Sequence, residues 1–145
     1  MKLITAIAAL TLLAGNMAVE AQGKSDALTM SKEGPIMERW TQVLTSDKAW
    51  TIQLESEPKW AVIEQSLGGF PTKRLYRPVE DRKEGGVLIW EREWESRELM
   101  EAAYERLGAS PKIEALMEET KALVQEAGLE ELVTETTREY FLVLD

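Results

Sequence analysis

Hydrophobic and polar residues repeat with two different periods along this chain. After Pro35, apolar residues fall at Ile36, Met37, Trp40, Val43 and Leu44. That is one stripe at helical spacing, and it predicts an amphipathic helix over 35–45, with proline at its first position. The next stretch, "KAWTIQLES" at 48–56, alternates instead: Trp50, Ile52 and Leu54 against Thr51, Gln53 and Glu55. It reads as a half-buried strand. Pro58 then opens a short helix over 58–67, with Trp60, Ile63 and Leu67 on one side, closed by Gly68-Gly69. "PTKRLYRPV" at 71–79 predicts a second strand. A charged, glycine-bearing turn joins it to "VLIWEREWE" at 87–95, so the two form a hairpin. Ser96 is a good N-cap for a helix carrying Leu99, Met100, Ala103, Tyr104 and Leu107 on one side. "GASP" at 108–111 interrupts that helix. Ile113, Leu116, Met117, Leu123, Val124 and Ala127 continue the stripe to Gly128. "TETTREYFLVLD" at 134–145 predicts the last strand.

Past the first helix, the order is β-α-β-β-α-β. Two right-handed βαβ units in that order give an α+β, ferredoxin-like fold: a four-stranded antiparallel sheet with helices on one face and an extra N-terminal helix. The first and third strands are then central. The uncovered sheet face carries either Phe141 and Val143 or Tyr140 and Leu142. It is too apolar for water, so a face-to-face homodimer is expected.

The chain begins MKLITAIAALTLLAGNMAVEAQGK. Lys2, an apolar run over 3–14 and the small residues of Val19-Glu20-Ala21 make a signal-peptide pattern, so 1–21 is expected to be removed and the protein exported, to a bacterial periplasm. Helical residues 3–14 would reach only about 18 Å, short of the roughly 30 Å of a bilayer core, so no membrane attachment is expected after cleavage. Residues 22–47 then read as a linker with the extra helix, and 48–145 as the domain. The net charge of −9 repels phosphate backbones and argues against nucleic acid as a partner. The chain has no cysteine and no histidine. Disulfides, thiol nucleophiles, histidine bases and histidine-held haem or zinc are therefore excluded. With no phosphate loop or dinucleotide fingerprint either, no cofactor is expected.

"RLYRPV", a glycine-bearing turn, "VLIWEREWES", a helix interrupted by "GASP", and "REYFLVL" together resemble the dimeric α/β-barrel superfamily. Within it, the pattern over 48–145 looks most like NIPSNAP-type domains, with the antibiotic biosynthesis monooxygenase group as a cousin. The resemblance implies two sheets paired into a barrel whose interior can hold a small organic molecule. The short helix at 58–67 and the extra helix at 35–45 depart from that pattern. Histidine-dependent chemistry does not carry over, and no catalytic residue is transferred.

On the strand at 87–95, Leu88, Trp90, Arg92 and Trp94 share the face expected to meet the helices. Val87, Ile89, Glu91 and Glu93 then face the barrel interior. Two carboxylates in a cavity can raise one pKa and carry a proton, which makes Glu91 and Glu93 candidate catalytic residues. The plainer reading pairs Glu91 with Lys73 or Arg74 across the hairpin. Arg74 and Tyr76 are candidates for orienting an anionic or phenolic ligand; charge protecting an edge strand is the alternative. Thr51 and Gln53 are expected as polar cavity lining. The functional expectation is a module binding a small apolar or aromatic molecule in the barrel interior. The alternative is a cofactor-independent monooxygenase or isomerase acting on a phenolic or quinone-like substrate. A third reading is a protein contact through the helix around Trp40.

Overall fold

The computed structural model describes residues 34–80 and 84–144. The expected signal peptide and the 22–33 lead-in lie outside the described residues. The elements are β1 (Ile36–Leu44), α1 (Asp47–Leu67), β2 (Arg74–Tyr76), β3 (Val87–Trp94), α2 (Arg97–Gly108), α3 (Pro111–Glu126) and β4 (Val133–Leu142). They build one antiparallel sheet in the order β2-β3-β1-β4, with the helices on one face.

Two expectations fail here for a shared reason. Residues 35–45 do not form an extra helix; 36–44 are β1, a central strand paired with β3 on one side and β4 on the other. Ile36, Glu38, Trp40, Gln42 and Leu44 are all buried under the helices. Polar Glu38 and Gln42 on that inner face, with apolar Met37 and Val43 on the outer one, break the period-two pattern and leave a false helical stripe. Residues 48–56 in turn are not a strand but the first half of α1, a helix of 21 residues. Ser46 caps it, its hydroxyl accepting from the Ala49 N–H at 3.1 Å, and Asp47 supplies a negative charge to the first turn. The buried side of α1 is Ala49, Gln53, Ser56, Glu57, Ile63 and Glu64. The spacing is helical, but polar side chains hide it. Pro58 does not start a helix; it lies inside this one, on the exposed side. The fold thus begins upstream of residue 48.

The later elements follow the sequence pattern. β3 buries Leu88, Trp90, Arg92 and Trp94 against the helices. The Ser96 hydroxyl accepts from the Leu99 N–H at 3.2 Å and starts α2. Pro111 restarts the chain as α3. β2 is shorter than expected, three residues at the sheet edge.

The apolar core has two parts. One centres on Ile36, Trp94, Met100, Tyr104 and Leu116, the other on Leu44, Ala49, Leu88 and Val124. Between them lies a polar seam. At the start of β3, Gly85 (φ 80°) passes so close to the β1–α1 junction that an added Cβ would sit 2.7 Å from the Leu44 oxygen and from the Ser46 nitrogen. Its N–H donates to the Asp47 carboxylate at 3.2 Å.

The opposite sheet face carries Met37, Arg39, Thr41 and Val43 of β1, beside Val87, Ile89, Glu91 and Glu93 of β3. Tyr76 lies beside Ile89, and Phe141 beside Met37. Its central aliphatic residues are half-buried and Phe141 is exposed. Arg39 crosses this face, bonded to Glu91 at 2.8 Å and lying 5.0 Å from the centre of the Phe141 ring. Among the described residues, no helix is long and apolar enough to cross a membrane.

Candidate functional site

The polar seam is a cleft roofed by α1 and α2 and floored by β1 and β3. Trp40 and Trp90, neighbours across the β1–β3 pair, stack with ring centres 5.1 Å apart and form the floor. Around them stand Gln42, Gln53, Glu57, Trp60, Glu64, Lys73, Arg92 and Tyr104. The cavity, open on one side, is about 40 Å³, room for a few water-sized groups at ~10–15 Å³ each. Its lining reaches the surface at half-buried Trp60 and Lys73 and at exposed Gly108.

Charge buried here is extensive. Arg92, 2% exposed, is ion-paired with Glu64 and reaches the Tyr104 hydroxyl at 3.4 Å. Its guanidinium also packs against the Phe70, Trp90 and Trp94 rings at 5.1–5.9 Å. Lys73 bonds to Glu57 at 2.6 Å, lies 3.6 Å from Glu64, and sits over the face of Trp90 at 5.0 Å. The Gln53 amide donates to Gln42 at 3.4 Å and to Glu57 at 3.3 Å. Glu38, fully buried, accepts from the Trp40 indole at 2.8 Å, the Trp94 indole at 2.9 Å and the Tyr104 hydroxyl at 2.6 and 2.8 Å. Burial, then the adjacent Glu38 carboxylate, push the Tyr104 hydroxyl well above the usual tyrosine range. Tyr104 therefore stays a hydrogen-bond donor at ordinary pH and cannot serve there as a base. The Arg92 Nε–H is buried with no hydrogen-bond partner. Among the described residues, no cluster of three or more carboxylates could hold a metal ion.

The residues expected from sequence divide between this cleft and the other face. Gln53 lines the cleft, but it arrives there from a helix. Thr51 points to solvent from α1, its hydroxyl donating to the Asp47 carbonyl at 3.2 Å. Arg74, Glu91 and Glu93 come together, with Met37, Pro71 and Thr72, around a shallow depression near the sheet edge. Tyr76 lies outside that depression, exposed on β2. The ion-pair partner of Glu91 is Arg39 rather than Lys73 or Arg74; Lys73 instead turns into the cleft. Sequence reasoning missed Glu38, Gln42, Glu57, Glu64, Lys73 and Tyr104 as site residues. One signal was present in the pattern: Arg92 stands between Trp90 and Trp94 on an otherwise apolar strand face. A cation there needs a buried partner, and a carboxylate on a covering helix supplies it.

No protein-family model matches the sequence, and no curated protein is similar to it. Solved structures do share the fold. An uncharacterised NIPSNAP-like domain protein from Burkholderia xenovorans superposes with a TM-score of 0.59 at 12% identity, over 78% of this chain and 88% of its own. A dimeric ferredoxin-like protein from an uncultured marine organism gives 0.53 at 15% identity, over 78% and 98%. A candidate antibiotic biosynthesis monooxygenase from Caulobacter crescentus CB15 gives 0.55 at 13% identity, over 83% and 99%. At these identities the likeness establishes the fold: ferredoxin-like, of the kind found in NIPSNAP proteins and in this monooxygenase relative.

Proposed function

We propose that this chain is an exported, homodimeric binding protein that holds a small molecule in the cleft between sheet and helices. The observation that carries the reading is the buried charge. A cleft of this size could be filled with leucine and phenylalanine, and exchanging buried ion pairs for apolar residues is often neutral or stabilising. Glu57, Glu64, Lys73 and Arg92 instead stand around a cavity floored by two stacked tryptophans. Convergent polar groups over an aromatic floor are the usual make-up of a ligand site. The expected place for the molecule was a barrel interior between two copies; this cleft is polar-rimmed and lies within one chain.

Export rests on the leader-like pattern of 1–21. Dimerisation rests on the half-buried aliphatic row of the open sheet face and on the dimeric ferredoxin-like relative. The enzymatic alternative, cofactor-independent oxygenation or isomerisation of a phenolic or quinone-like substrate, needs a base at the substrate. Tyr104 holds its proton too firmly for that part, and the paired carboxylates are engaged by cations, which favours binding over turnover. Native mass spectrometry of the protein, expressed with its leader and recovered from the periplasmic fraction, tests the reading. The expected spectrum shows a chain cut near Gln22, two copies per particle, and added mass that is lost on collisional heating. A bare monomer would overturn the proposal.

A further inference from the structure

Resting on the open sheet face as a dimer contact, the charges on that face fix how the second copy lies. Arg74 of β2 stands beside Glu91 of β3, Glu91 beside Arg39 of β1, and Arg39 beside Glu139 of β4. These four residues form one row across the face, at one level along the strands, and their charges alternate in sign from edge to edge. The middle pair is joined, Arg39 to Glu91 at 2.8 Å. The end members are exposed, and among the described residues neither Arg74 nor Glu139 makes an ion pair. We infer that this row is self-complementary across the dimer: the two-fold axis lies between the sheets and runs along the strands, so that Arg74 meets Glu139 of the partner subunit and Glu91 meets the partner's Arg39. For two sheets packed with strands aligned, the axis runs either along the strands or across them. An axis along the strands reverses the strand order and keeps the level. β2 then lies over the partner's β4, and the row lies over its own copy, reversed, with every charge against its opposite. Packed sheets stand about 10 Å apart, within the combined reach of an arginine and a glutamate. The aliphatic positions agree: Val87 and Val43 share a level on neighbouring strands, so the same axis stacks Val87 on the partner's Val43. An axis across the strands sets β2 over β2 and β4 over β4. Where the rows coincide, like then meets like at all four positions. Where they do not, the charges press on uncharged rows, and burying a charge away from its partner is costly.

Charge reversals test the arrangement through the dimer dissociation constant, measured by sedimentation at low salt. Both end residues are exposed, so reversing them leaves the fold of each chain intact. Arg74→Glu sets like charges against each other at both symmetry-related ends, and so does Glu139→Arg. Each is expected to raise the dissociation constant about fivefold or more, with the effect shrinking as salt is added. Glu139→Arg is the stricter variant. It lowers the net negative charge of a chain at −9, so general repulsion between copies would change in the opposite sense. The double variant Arg74→Glu, Glu139→Arg restores opposite charges at both ends and is expected within about threefold of the parent. Single reversals that leave the constant unchanged, or a double variant no tighter than the singles, overturn the arrangement while the dimer stands. A parent chain that sediments as a monomer at every concentration overturns the dimer and the arrangement together.

Discussion

Glu38 is the residue on which the interior depends most. Its carboxylate is the acceptor for two indoles and a phenol, none of which can reach water. Replacing it with alanine strands three donors at once. The expected loss of folding stability for Glu38→Ala is about 3–5 kcal/mol, a large share of what a domain this size possesses. Glu38→Gln keeps one acceptor oxygen and the shape, and should lose about 1–3 kcal/mol. Glu55→Ala, on the exposed side of α1, should stay within roughly 0.5 kcal/mol of the parent. Urea unfolding midpoints measure all three; equal losses would show that the carboxylate is not the organising acceptor. Arg92 shows the complementary case. It is tied to Glu64 and surrounded by rings, so its charge is held in place rather than solvated.

Among the elements, α1 is the one that the chemistry has disguised. Its interior proline removes a backbone donor where helices need one, yet the residue faces solvent. Pro58→Ala is therefore expected to stabilise the protein by about 1–2 kcal/mol, after allowing for the more flexible unfolded chain. Thermal or urea unfolding reads this directly, and a loss instead would mean that the proline is needed to place its neighbour Glu57. The elements that sequence periodicity revealed are those whose buried faces stay mostly apolar: β3, where Arg92 stands among Leu88, Trp90 and Trp94, α2 behind Ser96, and α3 behind Pro111. The two that it concealed, β1 and α1, each bury two or more polar residues. Glu38 and Gln42 replace apolar residues on the buried face of β1, and Gln53, Glu57 and Glu64 do so on α1. Periodicity assumes that buried means apolar, so a buried polar site erases the pattern of the elements that build it. The sheet topology was nevertheless legible, because the first strand merely moved from 48–56 to 36–44 and stayed central. The site was barely legible: of six expected residues, Gln53 alone of them lines the cleft.

For the whole molecule, the two sheet faces divide the work. One is closed by helices and holds the cleft; the other presents Val43, Val87 and Ile89 with the Arg39–Glu91 pair beside them. On the proposed dimer, Ile89→Lys places a charge in the middle of that surface and should give a particle of half the mass in sedimentation, with the fold retained by circular dichroism. An unchanged sedimentation coefficient would move the contact elsewhere. The tight passage at Gly85 reaches furthest beyond this one chain. Its backbone runs where no side chain fits, in a conformation that side chains disfavour, against the point where the first strand hands over to the first helix. A descendant of the same ancestor is free to alter nearly every outward position and even to trade the polar cleft for another. It is not free to put a methyl group at that crossing. Kin that have drifted past recognition by overall similarity would still share a bare residue leading into their third strand, one contact away from a helix-opening acid.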